Sequence, residues 1–434
     1  MKIRLCTIII FLLCLCISGC QDISDFEAYQ PVADIEETVS QDVAFVSELI
    51  EEGLIEEIEA EVEMIEEEQE ESESSSESSA EIEEEEKHLH LFLPDSGYDV
   101  FIPSSRRSKD YRYGPTILLN DDGSMDAWFA SPGDGVKEYD WISYRHSDDG
   151  GETWGMEKIV LYPTPNSPDA LSVCDPDVFY YDGYYYIGYT STTDSTGKGI
   201  NNSAFLARSV NPDGPFEKWN GSGWGGSPVP IIEFEEIWTG WGIGEPAFVV
   251  LNQTVFVYIT RDVYYTINTR MKTTDVYTAD LQDDNWPEGL TYRGCALIRN
   301  DSGEGDEYIY SDCDSLDVAY LEESGMFLAV ATNRRFKNDS CLIYFESKNG
   351  FEFERVSEIN ENVICRCHNC GIMTDGSGHI KKGDPTLIGY AYAGSGTREW
   401  GVWATRFAPL VIEVVDEIDR SEEEKENLKQ PYGR

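Results

Sequence analysis

Residues 88 to about 415 predict an all-β fold: a five-bladed β-propeller of four-stranded antiparallel blades, preceded by a disordered acidic linker. Three observations lead there. This stretch has no sustained helical periodicity. It has short aromatic and β-branched runs bounded by Gly, Asp, Asn and Pro, the pattern of strands joined by hairpins. The third observation is an internal repeat. Asp175-Pro176-Asp177-Val178-Phe179 runs through a turn at Asp182-Gly183 to Thr190, Glu245-Pro246-Ala247-Phe248 runs on to Thr260, and Asp317-Val318-Ala319-Tyr320 runs through Gly325 to Thr332. In each, the acid precedes a threonine by fifteen residues, which two strands and a tight turn account for. The same frame fits upstream from Gly114-Pro115 and downstream from Cys370-Gly371. Five units over about 305 residues give about 60 each, the size of a four-stranded blade with long loops. The terminal run Phe407–Val414 is expected to close the ring against the first blade.

The segments before this domain are of another kind. Lys2 and Arg4 precede an apolar run, Leu5 to Ile17, which is shorter than the roughly 20 residues of a spanning helix and reads as the core of a secretory signal. It ends Ile17-Ser18-Gly19-Cys20, which resembles the bacterial lipobox. The resemblance implies a signal peptide over residues 1–20, lipidation at Cys20 and a protein tethered on the outer face of a bacterial membrane. Residues 21–87 hold 27 Asp and Glu against one Lys. Like charges at that density extend the chain, and too few apolar groups remain to offset ordering entropy, so a solvated spacer is expected. Residues 416–434 form a charged C-terminal tail. The formal net charge of -51 argues against nucleic acid, whose phosphates call for Lys and Arg. Half of that charge lies in the spacer, so it says little about a substrate.

Between the first two units stands Ser147-Asp148-Asp149-Gly150-Gly151-Glu152-Thr153-Trp154, a match at every specified position to the Asp-box, Ser-x-Asp-x-Gly-x-Thr-Trp. This box resembles the hairpin turn between outer strands in propellers of the sialidase kind, and its expected role is structural.

The innermost strands of a propeller begin around the central axis, so the repeat predicts that Asp175, Glu245 and Asp317 converge there. Carboxylates crowded in one pocket repel, and at least one keeps its proton to higher pH. Glycoside hydrolysis needs that division, one carboxyl group donating a proton and another ionised. At these residues the chain resembles the five-bladed propeller glycoside hydrolases, especially family 43 and its relatives acting on β-xylosides and α-arabinosides. The resemblance covers about residues 110–410. It implies that Glu245 is the general acid, that Asp175 orients and tunes it, and that the step His368-Asn369 holds a water or a calcium ion on the axis. No cofactor is otherwise required. A monomer acting on an oligo- or polysaccharide is expected.

One departure stands out. The family starts its first blade with an Asp-Pro base, and this chain has Gly114-Pro115 there. The base then comes from Asp110, just upstream, or from Asp317, or it is absent. In the last case the protein is a glycan-binding propeller. A third reading starts from Tyr111-Arg112-Tyr113-Gly114-Pro115, which faintly resembles the Arg-Ile-Pro start of sialidases. Arg112, Arg334 and Arg406 would then form a carboxylate-binding cluster. Trp238 and Trp241, in the loop before Glu245, either stack on a sugar or pack within the loop. Seven cysteines follow Cys20, and an odd number does not pair completely. The run Cys365-Arg366-Cys367-His368-Asn369-Cys370 carries zinc-type donors at cramped spacing, and buried or disulfide-linked thiols are the stronger expectation.

Overall fold

The computed structural model describes residues 87–416, apart from 105–109, 136, 193–198, 236–239, 265–269, 302–312, 314–315 and 394–400. Cys20, the spacer up to residue 86, Trp238 and the tail from residue 417 lie outside the described residues. Among the described residues the regular elements are strands and one 3-10 turn at Trp286–Gly289. None is a helix long and apolar enough to cross a membrane.

The chain enters through β1 (His88–Phe92), β2 (Tyr98–Phe101) and β3 (Asp110–Tyr111). It then runs in antiparallel meanders. The first is β4 (Tyr113–Leu119), β5 (Met125–Pro132), β6 (Asp140–Ser147) and β7 (Lys158–Leu161). The second is β8 (Cys174–Tyr181), β9 (Tyr184–Thr192), β10 (Asn202–Ser209) and the short β11 (Glu217–Lys218). The third is β12 (Gly242–Leu251), β13 (Thr254–Tyr264), β14 (Arg270–Asp280) and β15 (Thr291–Asp301). The fourth is β16 (Asp317–Leu321), β17 (Met326–Asn333), β18 (Cys341–Ser347) and β19 (Glu354–Ile359). The chain ends with β20 (Cys367–Thr374), β21 (His379–Ile380), β22 (Leu387–Tyr392), β23 (Val402–Pro409) and β24 (Val411–Val415).

Inner strands such as β12 and β17 are buried along nearly their whole length. They are covered on both faces, which is why they read as continuous apolar runs rather than as an alternation. Aromatic contacts tie each sheet to its neighbour. Phe179 meets Phe248 at 5.0 Å between the second and third, and Phe256 meets Phe327 at 5.5 Å between the third and fourth. Phe129 stacks on Phe407 at 6.1 Å, joining the first sheet to the last.

The ring closure differs from the sequence expectation. Phe407–Val414 does not act as one strand, because Pro409 ends β23. Strand β23 lies inside the last sheet, and the strand on its outer side is β2, paired Tyr98↔Phe407 and Asp99↔Arg406. Strand β24 pairs with β1 instead. The seam is therefore made by the N-terminal segment, fastened by Asp99, which accepts from Arg406 Nε at 2.8 Å and from the Tyr392 hydroxyl at 2.9 Å.

The Asp-box residues tie the turn between β6 and β7. Asp149 accepts from the Thr153 backbone N–H at 2.8 Å and from its hydroxyl at 2.6 Å, and the Ser147 hydroxyl accepts from Gly151 N–H at 2.8 Å. The bonds from Thr153, and then the one Ser147 Oγ donates at 2.8 Å, pull the Asp149 carboxyl down to a pKa of about 2, and Trp154 packs edge-on to Phe407 at 5.5 Å. The turn between β18 and β19 repeats the geometry with Ser347 and Asn349: Gly350 N–H donates to Ser347 Oγ at 2.9 Å and Phe351 N–H to Asn349 Oδ1 at 2.8 Å. The sequence signal for this second turn is only Ser-x-Asn-Gly.

Gly371 marks the tightest approach of first and last sheets. A Cβ there would lie 1.8 Å from the Pro115 carbonyl oxygen, a backbone atom that cannot swing away. Gly371→Ala is expected to destabilise the protein by about 3 kcal/mol or more, read as a lower denaturation midpoint at unchanged slope.

Candidate active site

The site is built from irregularities at the starts of the inner strands. The pairing skips between Tyr113 and Thr116, Cys174 and Asp177, Gly244 and Ala247, and His368 and Cys370. Each bulge puts a residue in the left-handed region: Gly114 (φ 53°), Asp175 (φ 50°), Glu245 (φ 49°) and Asn369 (φ 38°). A bulge re-aims its side chain and leaves an unpaired backbone position. Proline, which has no N–H, follows in three of the four cases, as Pro115, Pro176 and Pro246. Left-handed backbone at a non-glycine residue costs energy and marks places where the surroundings over-determine it.

These bulges and the start of β16 surround an open pocket lined by Gly114, Asp175, Asp177, Glu245, Asp317 and Asn369, with Pro115, Pro176 and Pro246 among its other walls. Four carboxyl groups thus face one space, and among the described residues none that lines it is a lysine or arginine.

They stand on two levels. Asp175 and Glu245 occupy the bulges, six residues before the ends of their hairpins at Tyr181↔Tyr184 and Leu251↔Thr254. Asp317 has no bulge. It pairs with Val330 and lies four residues before its hairpin end, Leu321↔Met326, as Asp177 does in β8. The turn after β16 spans Glu322 to Gly325, two residues longer than the turns after β8 and β12. The equal fifteen-residue spacing therefore conceals an offset, and Asp317 is the counterpart of Asp177.

On the first level the Asp175 carboxylate accepts from the Cys174 thiol at 3.2 Å. Burial, and then the charge of Glu245, push Asp175 up to about 8. Glu245 is 8% exposed, and its Oε2 has no hydrogen-bond partner. On the second level Asp177 accepts from Phe248 N–H at 2.7 Å and from the Thr116 hydroxyl at 3.2 Å. Burial, and next the charge of Asp317, hold Asp177 well above the usual carboxylate range. Asp317 accepts from the N–H groups of Ile372 and Val318, which draw it down, yet burial outweighs them and leaves it at about 7.

The other residues singled out in the sequence lie elsewhere. Asp110 sits on β3 and accepts from the Ser104 hydroxyl at 2.7 Å, away from the cavity lining. The three arginines do not form a cluster, because each has found its own acid. Arg112 forks onto Glu157 and lies over the Phe101 ring at 4.4 Å, Arg334 forks onto Glu358 at 3.1 Å, and Arg406 bonds Asp99. Trp241 stands just before β12, where its carbonyl accepts from the Asn202 side chain at 2.7 Å, and it does not line the cavity. The His368 ring is enclosed by Tyr113, Phe336 and Trp403, at centroid distances of 5.2, 4.7 and 4.8 Å. Of the step His368-Asn369, it is Asn369 that lines the pocket. Cys174, Cys341 and Cys365 are free thiols. Asp177 went unnoticed in the sequence, although its position two residues after Asp175 was the available signal.

No family model matches the chain, and no curated protein matches it. Solved structures do. A family 117 glycoside hydrolase of the marine bacterium Zobellia galactanivorans aligns over 79% of this chain and 98% of its own, at 13% identity and a TM-score of 0.50. The likeness is one of fold. An α-L-arabinofuranosidase of Podospora anserina in complex with cellotriose covers 74% of this chain and 98% of its own, at 12% identity and a TM-score of 0.49. An endo-1,4-β-xylanase of Bacteroides thetaiotaomicron covers 74% and 96%, at 12% identity and a TM-score of 0.48. The chain thus shares the fold of that family 117 glycoside hydrolase.

Proposed function

We propose that this protein is a glycoside hydrolase built as a five-bladed propeller, its blades being the four meanders and the last sheet completed by β2. Glu245 is the proton donor, Asp175 tunes it, and Asp317 activates water. The observation that carries this reading is the pairing of Asp175 with Glu245 at matching bulges, with Glu245 Oε2 buried, partnerless and lining the cavity. A buried carboxyl group with no internal partner suits transient contact with a glycosidic oxygen. Burial, and then the charge of Glu245, keep a proton on Asp175 until about pH 8, beside the proton donor. Asp317 is the candidate base that lines the cavity, whereas Asp110 does not. The motifs Asp175-Pro176 and Glu245-Pro246 favour a pentoside, xyloside or arabinoside, as substrate.

The lipobox-like Ile17-Ser18-Gly19-Cys20 and the acidic residues 21–87 support a lipid-anchored monomer held off the outer face of a bacterial membrane on a spacer. A second reading has its own support in Gly114. The first bulge presents no carboxylate to the cavity, and a propeller without its base would bind glycans and release them uncut.

The full-length protein assayed on aryl pentosides and xylo- and arabino-oligosaccharides tests the choice. Hydrolysis should follow a bell-shaped pH profile. The base Asp317 ionises as pH rises through about 7, and Asp175 loses its proton near pH 8, so the optimum should fall between them. A protein that turns over none of these sugars yet binds them in a calorimeter is the receptor of the second reading. Neither turnover nor binding across the panel ends both.

A further inference from the structure

Of the four carboxyl groups that line the pocket, Asp177 is the one to which the mechanism above gives no task. Its contacts show what it holds. In β12 the ladder skips from the pair Gly244↔Thr260 to the pair Ala247↔Tyr258, so Glu245 and Pro246 have no partner in β13. The bulge they form is gripped instead from the second sheet, at two points. The Glu245 N–H donates to Thr190 Oγ1 at 2.7 Å, and the Phe248 N–H donates to Asp177 Oδ2 at 2.7 Å. Both acceptors are buried and stand on adjacent strands, Asp177 on β8 and Thr190 on β9. Two glycines let the sheets come this close. A Cβ at Gly244 would lie 2.5 Å from Thr190 Oγ1, and one at Gly188, the residue opposite Asp177, would lie 2.5 Å from the Phe248 ring. The Asp177 grip recurs in the fourth sheet. There Asp317 accepts from the Ile372 N–H, three residues after the bulge residue Asn369, as Phe248 is three residues after Glu245.

We propose that Asp177 is a positioning residue: its carboxyl group and the Thr190 hydroxyl clamp the two ends of the bulge that presents Glu245 to the pocket. Its purpose rests on the hydrolase reading, whereas the clamp itself does not. The Glu245 backbone is strained at φ 49°, and such a conformation persists only where its surroundings over-determine it. Two hydrogen bonds from a neighbouring sheet do that here. They take hold of the backbone and leave the side chain alone, so Glu245 Oε2 is held in place and still has no partner. The role calls for an acceptor at a fixed point rather than for a charge. Burial, and next the charge of Asp317, hold Asp177 well above the usual carboxylate range. Near neutral pH it therefore keeps a proton, and Oδ2 remains to accept from the Phe248 N–H.

Amide hydrogen exchange, followed by NMR in the full-length protein, tests the clamp without asking for turnover. In Asp177→Ala the Phe248 N–H should exchange about tenfold faster, the value of one lost hydrogen bond. In Thr190→Val the Glu245 N–H should do the same. The Ile372 N–H, held by Asp317, is the control and should keep its rate. Asp177→Asn keeps an oxygen for Phe248 and should restore the protection that Asp177→Ala loses. Steady-state kinetics then separates positioning from mere support. With the bulge freed, kcat should fall by roughly 10-fold to 10²-fold at nearly unchanged KM, the cost of misplacing a reacting group by about 1 Å. Unmoved exchange at Glu245 and Phe248 in folded variants overturns the proposal. So does equal acceleration at Ile372, which is a general loss of stability. Freed amides with an unaltered kcat overturn the positioning role, as does Asp177→Asn behaving like Asp177→Ala. If Asp177→Ala does not fold, Thr190→Val carries the comparison. A protein that hydrolyses nothing, yet shows the freed amides, keeps the clamp and loses the enzyme.

Discussion

Glu245→Gln is expected to lower kcat by roughly 10²- to 10⁴-fold, the range over which a positioned proton donor contributes. The substitution keeps the shape of the side chain and removes only the transferable proton. Substrate affinity should therefore change little, and the melting temperature should not fall, since one of the repelling carboxyl groups in the cavity is gone. The loss should depend on the leaving group. Aryl glycosides whose phenol departs as a stable anion need little protonation and should be largely spared, whereas unactivated oligosaccharides should be cut hardly at all. Steady-state kinetics on a graded series of aryl glycosides reads this directly. Equal rates for the variant and the wild type on the unactivated sugars would remove Glu245 from the chemistry.

Gly114→Asp is expected to act in the opposite direction. At its bulge a Cβ would lie 3.6 Å from Asp175 Cα and 3.9 Å from Asp175 Oδ1, ordinary contact distances. Its φ of 53° strains a non-glycine residue by about 1–2 kcal/mol. The same molecule accepts Asp175 at φ 50° and Glu245 at φ 49° in the matching bulges. A carboxylate here stands on the upper level with Asp175 and Glu245. If Asp317, one level away, is a poor base, hydrolysis should rise by roughly 10²-fold or more, within the range of general-base contributions. The acid limb of the pH profile should also move down, away from the value of about 7 set by Asp317. A folded Gly114→Asp with unaltered rate and profile would show that the first bulge plays no part in activating water.

Much of this arrangement is legible in the sequence because it rests on local rules. Hairpins announce themselves by turn residues between apolar runs, and Asp175 and Glu245 stand out because proline follows each at a matching point of the repeat. What could not be read depended on features that add or remove a residue. The turn Glu322 to Gly325 is two residues longer than its counterparts and shifts Asp317 to the level of Asp177. The bulge after His368 interrupts strict alternation, so that Asn369 rather than His368 lines the cavity. Arg112, Arg334 and Arg406 looked available as a cluster because their acids, Glu157, Glu358 and Asp99, are remote in sequence. Asp110 is the converse case, drawn off by its near neighbour Ser104.

The seam between β2 and β23 has a consequence for how the protein is made. Asp99 and Arg406 are 307 residues apart, and β1 pairs with β24 just outside them. Closing so long a loop costs little more than closing one half as long, because the cost grows only with the logarithm of length. The delay is in time rather than in free energy. During synthesis the N-terminal strands emerge first, yet their partners come last, so β1 and β2 must wait unpaired while the meanders assemble between them. Their own unpaired edges are meanwhile a template for pairing with another chain. A chain cut short before β23 would therefore keep the edges of β1 and β2 open and be prone to join its like.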